Sequence, residues 1–267
     1  ACRFYDPKLA SSITLRGHEI ITKSLQLIEQ QGFKVIYGDT DSLFVLLPEN
    51  SSEKQAHDAG AMLAASLNTY WRETLQRAQK LQSYLEVEYE THFLKFLMPT
   101  IRGESTGSKK RYAGLIRNAD NSVEIQFKGL EAARTDWTPL AREFQRELYW
   151  LVFHDEDHKE LVSRTAEQLL AGELDDKLIY RKRLRRKLED YTKNLPPHVQ
   201  AARKLDKPGA YIEYVITLNG PEPVEQLRSA IDYQHYLDRQ LAPAADGILH
   251  FLGDSYAELT STQLNMF

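Results

Sequence analysis

An α+β fold is what this sequence predicts: an antiparallel sheet with packed helices, followed by a mainly helical region. Three observations carry that expectation. Two β-rich runs, 34–37 and 43–47, flank a short polar turn. Two long stretches, 9–30 and 50–81, repeat apolar residues at helical spacing. From about Lys128 onward the pattern shifts to long helices.

Composition sets the bounds. The chain has 267 residues, 42% hydrophobic and 27% charged, with a formal net charge of −4. That is ordinary for a globular protein of one large domain or two small ones. The total does not advertise a nucleic-acid partner, so local charge has to be read instead. One cysteine, Cys2, excludes an internal disulfide framework and a cysteine-based zinc site. No run approaches membrane-spanning length. The chain opens Ala1-Cys2-Arg3 with no signal peptide following, which predicts a cytoplasmic protein and a piece of a longer one.

The first helix is expected over residues 9–30, with Leu9, Ile13, Ile20, Ile21, Leu25 and Ile28 on its stripe and Gly32 as its C-cap. It feeds a hairpin in which Gly38 permits the tight turn. Asp39 and Asp41 sit in that turn, two residues apart on a rigid support. Like charges so placed need a cation, and hard oxygen ligands suit Mg²⁺. A calcium loop is excluded, because Leu43 and Phe44 stand where a third oxygen ligand and a glycine belong. A bare Asp-x-Asp is otherwise only a polar turn.

A second helix starts at Asn50, with Glu53 completing a capping box, and its stripe from Ala56 to Ala78 reads as core. Residues 85–90 alternate strictly and predict a half-buried strand in the same sheet as the aspartates. Glu86, Glu88 and Glu90 share its solvent face, and Glu90 or Glu88 is the candidate to approach the metal. Residues 103–109 miss the phosphate-loop spacing by one. Lys109, Lys110, Arg111 and Tyr112 follow on an expected strand, Lys110 and Tyr112 facing one way and Lys109 and Arg111 the other. Basic side chains on a strand can reach phosphates or minor-groove acceptors. A further strand is expected over 122–127.

Thr138-Pro139 starts a helix with Leu140, Phe144, Leu148, Leu151 and Val152 buried, and another runs over about 157–170. Within this helical region, six of the seven residues 181–187 are basic: Arg181, Lys182, Arg183, Arg185, Arg186 and Lys187. So dense a patch suits phosphates. Residues 210–218 are β-like, 219–223 form a turn cluster, and 231–250 are helical with a break near Pro243. The histidines show no metal-ligand spacing. Gln263, Leu264, Met266 and Phe267 end the chain either folded back or as a short peptide for a partner's apolar groove.

These motifs together resemble the family B DNA polymerases. The match runs through Tyr37-Gly38-Asp39-Thr40-Asp41-Ser42, Lys109-Lys110-Arg111-Tyr112, Phe127-Lys128-Gly129-Leu130-Glu131 and Arg134-Thr135-Asp136-Trp137. The resemblance implies a partial polymerase palm over residues 1–130, a thumb over 131–260 and a sliding-clamp-binding peptide over 261–267. It makes Asp41 the direct ligand of two Mg²⁺ ions, with Asp39 in support. It implies primer–template DNA and deoxynucleoside triphosphates as partners. Lys110, and less surely Tyr112, would touch the minor groove. Gln263, Leu264, Met266 and Phe267 would bind the clamp, with Met266 where leucine is usual. The family's earlier catalytic aspartate, its nucleotide-binding fingers helix and its exonuclease are not in the chain. The resemblance therefore implies a polymerase as the longer protein and an inactive fragment. The competing readings are a non-catalytic duplex DNA- and clamp-binding module, and another palm-type nucleotidyl enzyme.

Overall fold

The computed structural model describes residues 5–99, 110–193 and 195–264. It divides into two compact units, Ala1–His92 and Phe93–Phe267.

In the first unit, α1 (Pro7–Gln30) is capped by Asp6, whose carboxylate accepts from the Lys8 N–H at 2.8 Å. Ser24 and Ile28 are its buried residues, while Leu9, Ile13 and Leu15 are exposed. Gly32, at φ +88°, turns the chain into β1 (Lys34–Asp39), which pairs antiparallel with β2 (Ser42–Leu46). The next helix, α2 (Glu53–Gln79), starts later than the sequence suggests. Ser52 is the cap: Ser52 Oγ accepts from the Gln55 N–H, and Gln55 Oε1 accepts from the Ser52 N–H. Asn50 instead takes a left-handed turn at φ +62°, which asparagine tolerates. Ile28, Leu63 and Leu67 form this unit's core, with Val35, Leu43, Val45 and Val87 packed on it. A two-stranded ribbon is marginal alone, so this apolar seat is what holds the hairpin.

Residues 85–90 do not form a strand. Their alternation is real, with Leu85, Val87 and Tyr89 partly buried and Glu86, Glu88 and Glu90 exposed. A side chain of α2 takes the place of a neighbouring strand. Asn68 Nδ2 donates to the Val87 carbonyl, and the Val87 N–H donates to Asn68 Oδ1, both at 2.8 Å. Tyr89 lies against Gly60, where any Cβ would collide with its ring. Alternation records which side is buried, and a helix can supply that side as well as a sheet can.

The second unit opens with β3 (Lys95–Leu97), β4 (Tyr112–Arg117) and β5 (Val123–Lys128), antiparallel in that order. Then come α3 (Pro139–Phe153) and α4 (Lys159–Leu170). Thr138 caps α3, its Oγ1 accepting from the Ala141 N–H at 3.3 Å, and Pro139 sits in the first turn. A second three-stranded sheet follows, with α5 (Pro197–Ala202) inserted: β6 (Tyr180–Arg183), β7 (Tyr211–Thr217) and β8 (Gly220–Pro223). The expected turn cluster at 219–223 is thus mostly strand. Pro221 and Pro223 are accommodated because β8 is an edge strand, where a missing N–H leaves no ladder bond unmade. The chain finishes with α6 (Tyr233–Tyr236), a π-helical turn (Leu237–Leu241), α7 (Ala242–Leu252) and α8 (Tyr256–Leu264). The break near Pro243 is that wide turn, which places Pro243 in the first turn of α7. Leu148, Tyr149, Val162, Leu169, Leu241, Ile248 and Leu249 are the fully enclosed centre of this unit.

Glu222 on β8 shows how a charge is kept in place here. It accepts from the Arg228 N–H at 2.8 Å, the Ser229 N–H at 3.1 Å and Ser229 Oγ at 2.8 Å. These donors, the Arg228 N–H foremost, hold its pKa down to about 2 from 4.5. The sign follows: its contribution to stability is full above 4.5 and is lost as pH falls towards about 2. Glu222→Gln is expected to flatten that acid limb, read as denaturation midpoints across the same pH window.

Candidate catalytic and nucleic-acid-binding site

The hairpin tip presents the two aspartates by a specific backbone device. Pairing runs Val35 to Val45 and then Tyr37 to Phe44, so Ile36 is an extra, bulged residue. The bulge changes the parity of β1. Val35, Leu43 and Val45 pack towards the helices, whereas Tyr37, Phe44, Asp39 and Ser42 lie on the opposite face. The Tyr37 and Phe44 rings sit 5.3 Å apart on that face. Were alternation to run unbroken from Val35 through the same residues, Asp39 would face the apolar core. The turn is Thr40-Asp41, and Thr40 rather than Gly38 takes the positive φ, +28°. Gly38 has a different role: its absent Cβ leaves room for Leu43 Cδ2, 3.1 Å from where it would be. Thr40 Oγ1 donates to Asp39 Oδ1 at 3.0 Å, and Ser42 Oγ lies 3.4 Å from Asp41 Oδ1. Asp39 is half-buried and Asp41 exposed.

Glu90 does not join them. Among the described residues no three carboxylate, histidine or cysteine side chains gather closely enough to hold a metal ion. The reason is the one above: residues 85–90 are tied to α2 and are not a strand of the aspartates' sheet.

In the second unit, Lys109 lies outside the described residues. Lys110 is exposed, but it is in a turn at φ +65°, so the strand alternation expected through it begins only at Tyr112. Arg111 turns inward to an ion pair with the buried Glu131. Tyr112 packs its ring 5.3 Å from Phe96 and 6.1 Å from Phe93.

The basic run is strand and loop rather than helix, and this sorts its members. On β6, Arg181 and Arg183 are exposed, whereas Lys182 points the other way and is half-buried, 3.6 Å from Asp136 Oδ2. Arg134 holds Asp136 ionised, lowering its pKa to about 2 by a paired hydrogen bond at 2.8 and 3.0 Å. Arg185 and Arg186 are exposed in the loop that follows. Sequence reasoning passed over Tyr211. It is 53% exposed, and the Arg181 guanidinium lies 4.8 Å from its ring centre. Arg181 Nε is also 3.5 Å from Glu213, so any anion has to compete with that carboxylate. Alternation along β7, with Tyr211 and Glu213 outward, is the signal that could have found both.

Gln263 and Leu264 continue the backbone of α8, and Met266 and Phe267 lie outside the described residues. No helix among the described residues is long and apolar enough to cross a membrane.

Comparison with known proteins is consistent with this geometry. The chain is 56% identical to DNA polymerase II of Escherichia coli over 279 aligned positions, covering 100% of the chain and 35% of that protein. It is 30% identical to a DNA polymerase of Thermococcus kodakarensis, covering 94% of the chain and 15% of that protein. The solved family B DNA polymerase of Pyrobaculum calidifontis superposes with a TM-score of 0.57 at 27% identity, over 95% of this chain and 31% of that one. The chain thus spans at most about a third of the length of these relatives. The family model for DNA polymerase family B matches residues 1–252, and the chain belongs to that family.

Proposed function

We propose that this sequence is the C-terminal palm and thumb portion of a DNA-directed DNA polymerase, dividing near residue 130, with residues 261–267 as a sliding-clamp-binding peptide. The observation that carries it is the hairpin tip, where a bulge at Ile36 and a two-residue turn direct Asp39 and Asp41 away from the core. The donor set fits Mg²⁺: two carboxylates on a rigid turn, which that ion accepts with water and substrate phosphate oxygens completing its shell. When bound, two such ions stabilise the attacking and leaving oxygens of nucleotidyl transfer. Asp41, exposed at the turn, is the direct ligand, and Asp39, fixed by Thr40, supports it. Lys110 and Tyr112 meet the minor groove of the new duplex. Arg181, Arg183, Arg185 and Arg186 neutralise its phosphates. Gln263, Leu264, Met266 and Phe267 bind the clamp. The protein works in the bacterial cytoplasm, on deoxynucleoside triphosphates, in replication or repair.

Fluorescence anisotropy with a primer–template duplex, titrated with salt, tests the reading. The affinity should fall linearly on log–log axes. Neutralising Arg181, Arg183, Arg185 and Arg186 together should reduce the slope by about 3.6, since each phosphate contact contributes roughly 0.9. An unchanged slope removes the basic run from the interface, and absence of binding at low salt overturns DNA contact by this chain.

A further inference from the structure

The sequence counts Arg111 among the basic residues able to reach DNA, on the face opposite Lys110, but the structure pairs it inward. Its guanidinium pairs with Glu131, which is 3% exposed. The other Glu131 oxygen accepts from Gln145 Nε2 at 2.8 Å. Gln145 is itself locked: its Oε1 accepts from the Ala132 N–H at 2.7 Å, and its Nε2 also donates to the Ala244 carbonyl at 3.0 Å. Arg146 closes the far side by donating to the Ala132 carbonyl at 3.0 Å. One carboxylate thus links the residue preceding β4 to α3 and, through Gln145, to α7.

Stability alone does not explain such a pair. Glu131 is buried while Arg111 stays partly exposed, and burying the carboxylate costs roughly what the attraction returns, so an apolar replacement of similar volume is often as stable. What the pair does fix is direction. Arg111 lies between Lys110, held at φ +65°, and Tyr112, the first residue of β4. Gly129, two residues before Glu131, lets the chain pass directly beneath the Lys110 carbonyl, 2.2 Å from where a Cβ would stand. The backbone at Lys110 is held from below by Gly129 and from one side by the anchored Arg111. A lysine in the left-handed region needs such over-determination to stay there.

We propose that Glu131 is a positioning residue: its buried carboxylate withdraws Arg111 from the DNA-facing set and thereby fixes Lys110 for duplex contact. The inference rests on the reading that Lys110 meets DNA. Glu131 touches no nucleotide and acts through Arg111.

A double-mutant cycle on the 267-residue chain tests it, read by anisotropy with a primer–template duplex in about 50 mM salt, where phosphate contacts are strong. Glu131→Gln and Lys110→Ala should each weaken binding about tenfold, and the double variant should bind no worse than the weaker single, because the two residues act in series. Glu131→Asp should recover part of the loss. Should Glu131→Gln not fold, Arg111→Lys, which keeps the charge but loses the planar fork, is read in the same cycle. A Glu131→Gln effect that persists in full without Lys110, or Glu131→Gln binding as tightly as wild type, overturns the proposal alone. Wild type that fails to bind the duplex overturns the DNA-contact reading first and the proposal with it.

Discussion

Replacing Asp41 with asparagine is expected to lower primer extension by a polymerase carrying this sequence at least about a thousandfold, equivalent to about 4 kcal/mol of transition-state stabilisation. The substitution keeps the side chain's size and an acceptor oxygen, so the Thr40-Asp41 turn and the Leu43 and Val45 packing beneath it survive. Only the charge is removed from the tip. Asp39→Asn is expected to cost less, because that carboxylate is half-buried and already accepts from Thr40. Single-nucleotide incorporation with saturating Mg²⁺ measures both, and the 267-residue chain alone should incorporate nothing. If the Asp41→Asn polymerase stays within tenfold of wild type, the tip is a polar turn and no metal ligand.

Gly129→Ala should destabilise the second unit by about 3 kcal/mol, the sum of a left-handed conformation for a residue with Cβ and a collision that cannot be relaxed cheaply. Gly129 sits at φ +64°, and an added Cβ would stand 2.2 Å from the Lys110 carbonyl oxygen and 3.3 Å from Arg111 Cγ. The first of these is backbone, so no rotamer change relieves it. Gly32 provides the control. It has φ +88° but nothing within 4 Å of its missing Cβ, so Gly32→Ala carries only the conformational cost of about 1 kcal/mol. Denaturant midpoints at unchanged slope separate the two. Equal losses at the two glycines would mean that the close passage under Lys110 is not a constraint.

Elements governed by one-dimensional spacing were legible in the sequence. The apolar repeats gave α1 and α3, Thr138-Pro139 gave the start of α3, and the two β-rich runs around Asp39 and Asp41 gave the hairpin. What escaped depends on partners distant in sequence. The bulge at Ile36 is set by where Val35, Leu43 and Val45 must land on the helices, and nothing in the local residues marks it. Residues 85–90 alternate as a strand does, yet the groups that complete them belong to Asn68. The basic run reads as helical in a helical neighbourhood, but Tyr180 stacks on Tyr214 at 5.2 Å and draws it into a sheet. Arg111 counts as one more cation until Glu131, twenty residues later, claims it. In each case a long-range contact overrode a local pattern.

The Asn68 clip also bears on self-association. Side chains satisfy the backbone of Val87 and the Leu85 N–H, and among the described residues 85–90 make no backbone–backbone hydrogen bond. That leaves a segment of alternating burial with unspent backbone donors and acceptors, the kind of edge on which a second copy could add a strand and begin an aggregate. Glu86, Glu88 and Glu90 line its exposed side. Two copies approaching edge to edge would bring six carboxylates together, so the glutamates act as a guard against the pairing that the backbone would otherwise invite.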